Sequence, residues 1–185
     1  MSHASDYVIR KATLEDREAI QRLIADSARL LSRDYYRDIQ IESAIESVFG
    51  VDTDLIDDGT YFVAEHQDGL VGCGGWSKRK TLFGGDQFTN RASGMLDPAS
   101  EAAKIRAFFI HPRYARKGIA GQILEHCERE ARNSGFRSLE LMATLPGVPF
   151  YTAAGFTSQE PFELELRGGV VLELLSMRKE LYLHK

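Results

Sequence analysis

A single mixed, largely antiparallel sheet with a central βαβ unit and helices on both faces, an α/β (α+β) arrangement, is the fold this chain predicts. Three observations carry it. Apolar runs flank two turn signals, Gln67-Asp68-Gly69 and Arg167-Gly168-Gly169, which read as antiparallel hairpins on either side of the middle of the chain. Between them, Ala107-Phe108-Phe109-Ile110 is followed by an amphipathic helix and a further strand, and a strand, helix and strand in that order pair in parallel. Helical spacing over residues 20–48 adds cover for the sheet. With 185 residues, 43% of them hydrophobic and 27% charged, the chain fits one globular domain, residues 1–185, with a core of its own.

Taken in order, Tyr7 to Arg10 reads as a first strand, and Thr13 with Asp16 resembles a capping box that opens a helix. Ile20, Leu23, Ile24, Ser27, Leu30 and Leu31 recur at helical spacing, so that face is expected on the core, with Glu18, Arg22 and Arg29 in water. Tyr35-Tyr36 breaks the pattern. Ile41, Ala44, Ile45 and Val48 restore it as a second helix up to Gly50, and the acidic stretch Asp52 to Gly59 reads as a turn. Tyr61 to Ala64 and Leu70 to Trp76 are the strands of the first hairpin. Gly72, Gly74 and Gly75 would weaken an ordinary strand, which implies a bulge or a close approach by a ligand or a neighbour. The single tryptophan, Trp76, reads equally as a core aromatic or as a wall of a substrate site.

From Ser77 to Ala102 the chain is irregular, with Gly84-Gly85, Asn90, Gly94 and Pro98, and a connection this long in a compact domain is usually functional or disordered. Acceptor contacts are expected there. Beyond the central strand, Ile119, Ile123, Leu124, Cys127 and Ala131 form one helical stripe, with Gln122, Glu125, Glu128 and Arg129 outside and Gly135 as a left-handed cap. Ser138 to Met142 is the second parallel strand. Thr144 to Pro149 is rich in breakers and leads into a short helix that carries Tyr151 and ends at Gly155-Phe156. Glu163 to Leu166 and Val170 to Met177 close the fold as a hairpin.

The chemistry concentrates in Lys104 to Gly121. After the buried strand come Arg113, Arg116 and Lys117 with no acidic residue among them, and then Gly118-Ile119-Ala120-Gly121 at the start of a helix. Small residues let a ligand approach the main chain, and a helix N-terminus offers unpaired N–H groups and a partial positive charge. The segment reads as a pyrophosphate cradle. A nucleotide P-loop is excluded by spacing, because Lys117-Gly118 occurs without the Gly-Lys-Ser/Thr that holds β- and γ-phosphates and Mg²⁺.

Composition excludes other classes. A net charge of −4 and a pI near 5.8 disfavour nucleic acid or an anionic membrane as a general partner. No run is long enough for a membrane span, and MSHASDYVIRK lacks the apolar core of a signal peptide, so a cytoplasmic protein is expected. The two cysteines, Cys73 and Cys127, and the five histidines (His3, His66, His111, His126 and His184) lack metal-ligand spacing, so the expectation is buried thiols and no metal.

The run FFIHPRYARKGIAG, with a helix and then PFYTAAGF after it, resembles the GNAT superfamily of acetyl-CoA-dependent N-acetyltransferases, and the likeness extends over nearly the whole chain to Met177-x-Lys179-x-Leu181. Gly118 and Ala120 match the superfamily's Gln/Arg-x-x-Gly-x-Gly/Ala cradle. Ala115 departs from the usual first position, with Arg116 beside it, and Pro146-Gly147 stands where many members carry an asparagine. The resemblance implies acetyl-CoA as acyl donor, with the main chain of Phe108, Phe109 and Ile110 along the pantetheine arm. Arg116, Lys117, Gly118, Ile119, Ala120 and Gly121 would then hold the diphosphate. It also implies Tyr151 as the proton donor to the departing thiolate, since a phenol of ordinary pKa about 10 is protonated at neutral pH. A main-chain N–H at Phe109 or Ile110, freed by a bulge, would stabilise the oxyanion.

The acceptor implied is a primary amine of a small molecule or a peptide. Trp76, Tyr35 and Tyr36 with the Lys80 to Ala102 loop are expected to shape its site, and the acidic balance hints at a cationic amine. Glu65, Asp97, Glu101 and His111 lie near strand ends, yet none is singled out as a base, because waters can remove the proton. The competing reading is a non-catalytic CoA-binding sensor or interaction module on the same fold. Oligomeric state is open, a homodimer included.

Overall fold

In the computed structural model, which describes residues 6–182, the chain runs through β1 (Tyr7–Lys11), α1 (Arg17–Leu31), α2 (Asp38–Ser47), α3 (Thr53–Asp57), β2 (Tyr61–His66) and β3 (Gly69–Ser77). It continues through β4 (Ala103–Ile110), α4 (Ile119–Asn133), β5 (Ser138–Thr144), α5 (Val148–Ala153), β6 (Thr157–Glu165) and β7 (Val171–Glu180). The strands form one seven-stranded sheet in the order β1-β2-β3-β4-β5-β7-β6. Every adjacent pair is antiparallel except β4 and β5, which are parallel as the βαβ connection requires.

Alternation along the strands divides the core in two. On β2, Tyr61 and Val63 face one side with Ile20, Ile24 and Leu55, whereas Phe62 and Ala64 face the other with Ile119, Ile123 and Leu139. Helices α1 to α3 therefore cover one face and α4 and α5 the other. At the start of α1 the Asp16 carboxylate accepts from the Thr13 N–H at 2.8 Å and is paired with Arg10, which holds its pKa below the usual carboxylate range. Leu30 and Leu31, expected on the core face, are 48% and 37% exposed. Leu30 is turned about 100° from its neighbour on the helix, and Leu31 faces the cavity described below.

Three further expectations are corrected. The acidic stretch is not a turn throughout, since Thr53–Asp57 form α3 with Asp52 at its N-cap. Glu128, placed in water by the helical pattern, is buried beneath α4, where Lys179 donates to it at 2.5 Å and Arg132 at 3.4 Å. β6 begins at Thr157, well before Glu163, and as an outer strand it tolerates Pro161.

Two features of β4 prepare the site. Its parallel pairing with β5 is limited to Ala103 with Leu139 and Lys104 with Glu140, and beyond these the two strands part. On its other edge Gly75 pairs with Arg106 and Cys73 with Phe109, so Gly74 alone stands opposite both Ala107 and Phe108. That is a bulge on β4, with Ala107 at φ 56°. A Cβ on Gly74 would lie 2.7 Å from the Phe108 ring, so the close approach foreseen for these glycines is made here by a neighbouring side chain.

Candidate active site

Where β4 and β5 part, a cavity of about 770 Å³ passes between the two faces of the sheet. Its lining draws on both halves of the core, with Phe108, Ile110, Leu141 and Tyr151 from the α4 side and Phe49, Phe83, Phe109 and Leu174 from the α1 side. The size is that of an ordinary ligand site.

One end is built on the start of α4. Arg116 and Gly118 both have positive φ, 61° and 84°, which turns successive amides of this segment to one side. The first hydrogen bond of the helix runs from the Gln122 N–H to the Gly118 carbonyl at 3.1 Å, which leaves the amides of Ile119, Ala120 and Gly121 without intrahelical partners. A Cβ added at Gly118 or Gly121 would meet nothing within 4 Å, so the space before these amides is open. Tyr114, Ala115, Arg116 and Gly118 to Gly121 line this end. Lys117, expected with them, does not line the cavity: its ammonium lies 4.8 Å from the centre of the Tyr114 ring.

The gap itself supplies more main chain. Ile110 pairs with Gly72 while the next amide, His111, donates to Val71 at 2.9 Å. By the alternation of an antiparallel ladder, the N–H and C=O of Ile110 point away from β3, across the gap.

Tyr151 lines the same cavity from α5, with its ring edge-on to Phe108, Phe150 and Phe156 at centroid separations of 6.3, 5.0 and 5.6 Å. Burial pushes its phenol above the ordinary value, so the proton stays on at neutral pH. Gly147 fits under the ring, since a Cβ there would stand 3.2 Å from Tyr151 Cε2.

The other end is assembled from α1, the segment after it, and the long connection between β3 and β4. Tyr35 is half exposed and lines it. Tyr36 does not: its buried hydroxyl donates to the Glu173 carbonyl at 2.5 Å and accepts from the Leu145 amide at 2.9 Å, and burial pushes its pKa up to about 12. Trp76 is also absent from the lining. It packs against Phe136 under α4 and donates to Glu130 at 3.0 Å, so the core reading of this residue holds and the substrate-wall reading is withdrawn. Within the irregular connection only Leu82 to Gly85 reach the cavity.

That connection is pinned by charges drawn from distant parts of the chain. Asp52 is fully buried and paired with Arg106 and with Arg91, and Arg91 also holds Asp54 at 3.0 Å. Arg106 donates to the Gly84 carbonyl at 2.7 Å, and Arg79 binds Asp58 at 2.7 Å. Burial drives Asp52 up and Arg106 down in pKa, against the attraction between them. An arginine in the middle of the central strand is the available signal, because a buried guanidinium needs a buried partner.

None of the four carboxylate and histidine candidates for a base reaches the cavity. Glu65 is bound by Arg10 at 2.8 Å; Glu101 accepts from the Asp97 amide and Asp97 from Ala99, within one turn. His111 Nδ1 accepts from the Arg113 amide at 3.2 Å. Among the described residues, no Asp, Glu, His or Lys lines the cavity, so the hint of a cationic amine acceptor finds no carboxylate in the lining. No group of three or more His, Cys, Asp or Glu among them is placed to hold a metal ion, and no helix is long and apolar enough to cross a membrane. His3 and His184 lie outside the described residues.

Residues 19–156 match the model of the acetyltransferase (GNAT) family. The chain belongs to that family. No curated protein matches it in sequence. Among solved structures, the chain is similar to a GCN5-related N-acetyltransferase from Rhodopseudomonas palustris, with a TM-score of 0.70 and 17% identity over 98% of this chain and 99% of that one. It is also similar to the PaiA N-acetyltransferase of Thermoplasma acidophilum in complex with coenzyme A, with a TM-score of 0.63 and 17% identity over 94% and 98% of the two chains. The structure of yncA from Salmonella typhimurium with its cofactor acetyl-CoA gives a TM-score of 0.62 and 17% identity over 98% and 97%. As a GNAT member the protein is an acyltransferase, on the open mixed sheet that the family shares.

Proposed function

We propose that this GNAT protein transfers the acetyl group of acetyl-CoA to a primary amine by direct attack. The observation that carries the reading is the continuity of one cavity, from the unpartnered amides at the start of α4, along the parted edge of β4, to Tyr151. The amides of Ile119 to Gly121 with the Arg116 guanidinium suit a diphosphate, and the free edge at Ile110 suits the amide-bearing arm of a pantetheine. Two of the similar structures contain coenzyme A or acetyl-CoA, which supports the same ligand here.

Acetyl-CoA supplies a thioester: the amine nitrogen forms a bond to the carbonyl carbon, the C–S bond breaks, and the nitrogen gives up a proton to water. The chain's part is positional and electrostatic. An amide on the parted edge of β4 donates to the carbonyl oxygen as charge develops on it. Tyr151 holds its proton near the sulfur and passes it to the leaving thiolate, then regains one from water. An ordinary phenol and thiol differ by about 1.5 pKa units, about 2 kcal/mol uphill, and burial of Tyr151 adds to that cost, so the transfer is drawn forward by loss of the product.

Incubation with acetyl-CoA and a panel of amines, following free thiol, tests the reading. The expected result is acceptor-dependent release that falls at least about 100-fold in Tyr151→Phe, with coenzyme A affinity unchanged by calorimetry. Release no greater than in that variant would leave a non-catalytic coenzyme-binding module.

A further inference from the structure

The charges that pin the irregular connection beside the acceptor end are paired among themselves. Asp52, Asp54 and Asp58 are paired with Arg91, Arg106 and Arg79, and the Asp86 carboxylate accepts from the Thr53 amide at 2.9 Å and faces Arg91. Arg106 borders the cavity, yet its guanidinium is directed at Asp52 and the Gly84 carbonyl, and its Nε and Nη1 are sealed from solvent. The walls left are Leu31, Phe49, Phe83, Phe109 and Leu174, with Tyr35 at the rim. Phe83 is itself held between Phe88 and Phe162, with ring centres 5.1 and 5.9 Å away. The uncharged polar side chains of this half are the hydroxyls of Ser27 and Ser32 on and just after α1 and of Thr144 at the end of β5, opposite Leu174, together with Tyr35 at the rim.

Such a surface discriminates by charge. Among the described residues, a second ammonium on the acceptor would be stripped of water with no lining carboxylate to receive it, and an acceptor carboxylate would find no presented cation. A single amine meets a milder version of the same penalty, which favours its neutral form. That form is the nucleophile, so the apolar wall does work that a general base does elsewhere, consistent with the lack of any base in the lining.

Resting on the acetyl-transfer reading, we infer that the acceptor is a monoamine on an apolar, otherwise uncharged body, alkyl or aryl-alkyl, seated against Phe49, Phe83 and Phe109 and attacking as the free base. Polyamines, amino acids and lysine-rich peptides are poor acceptors.

The test measures kcat/KM by thiol release with butylamine, hexylamine, 2-phenylethylamine, phenylalanine and spermidine at saturating acetyl-CoA. Expected are a rise of about fourfold per methylene between butylamine and hexylamine and a preference of at least about 50-fold for phenylethylamine over phenylalanine and over spermidine. Leu31→Glu, at a position already 37% exposed, sets a carboxylate at the wall and is expected to raise spermidine relative to hexylamine about tenfold while coenzyme A affinity stays unchanged. Equal or better use of spermidine or phenylalanine by the unaltered protein overturns the inference and leaves acetyl transfer standing. Bound coenzyme A with no release from any of the five amines removes both.

Discussion

The two ends of the cavity are made in opposite ways. The α4 end is local: a handful of consecutive residues, from Tyr114 to Gly121, supply its open amides and its cation. The α1 end is an assembly of α1, the segment after it, the Leu82–Gly85 stretch and β4, held by side chains that lie far apart in the chain, as Asp52 and Arg106 do. A local site can be changed one residue at a time without disturbing the fold, whereas an assembled one fails with its fasteners. That contrast can be broken or sharpened by substitution.

The largest effect is expected from Asp52→Ala, which leaves Arg106 buried without its partner and should cost about 3–5 kcal/mol of stability in denaturant titration. Coenzyme A affinity of the folded fraction should be kept, and its loss would erase the distinction between the ends. Gly118→Asp attacks the other end. The carboxylate would stand in open space before the amides, and a weakening of coenzyme A binding of about 100-fold by calorimetry is expected, from lost charge-assisted hydrogen bonds and repulsion. Its melting temperature should move by only a few degrees, because aspartate tolerates the left-handed backbone at this position. Gly147→Ala, at the junction, presses on Tyr151 from 3.2 Å; if that phenol is the proposed proton donor, a drop in kcat of about fivefold is expected from its displacement, with the KM for acetyl-CoA unchanged.

The smallest effect is pH-dependent. Arg79 holds the Asp58 carboxyl below its ordinary value. A depressed carboxyl pKa contributes stability that is complete above about pH 4, where the unfolded chain is ionised, and is lost as the pH falls through the folded value. Asp58→Asn should therefore lower stability at pH 7 by under about 1 kcal/mol, the scale of a partly exposed pair. In acid the difference from the parent should vanish. A difference that persists in acid would assign the contact to packing.

What was legible in the sequence follows the same division. The βαβ unit, the glycine turn at Gly118 and the short helix carrying Tyr151 are encoded by neighbours, in apolar spacing, small residues and a turn, and all of them border one cavity. α3 is not legible in the sequence, because five residues in an acidic run carry too little pattern for a helix. β6 was read short because most of it is exposed, so apolar alternation is lost until Leu164. Trp76 and Tyr36 were offered to the acceptor on the strength of residue type, yet burial and hydrogen bonds to Glu130, Glu173 and Leu145 commit both to the framework. Lys117 was included for its charge, and its direction depended on a backbone turn that sequence does not specify. Pairings such as Asp52 with Arg91 and Arg106 leave no periodic trace, and only the presence of Arg106 in a buried strand announces them.

Joined by two registered pairs, β4 and β5 divide the sheet into a four-strand and a three-strand plate with a seam between them. Main-chain groups along that seam lack the mutual protection found elsewhere in the sheet, so their hydrogens should exchange with solvent sooner than those of β2 or β7. A guest laid along the seam would act as a missing strand and slow that exchange at Ile110. Ligand binding would then complete the sheet's hydrogen bonding along that edge.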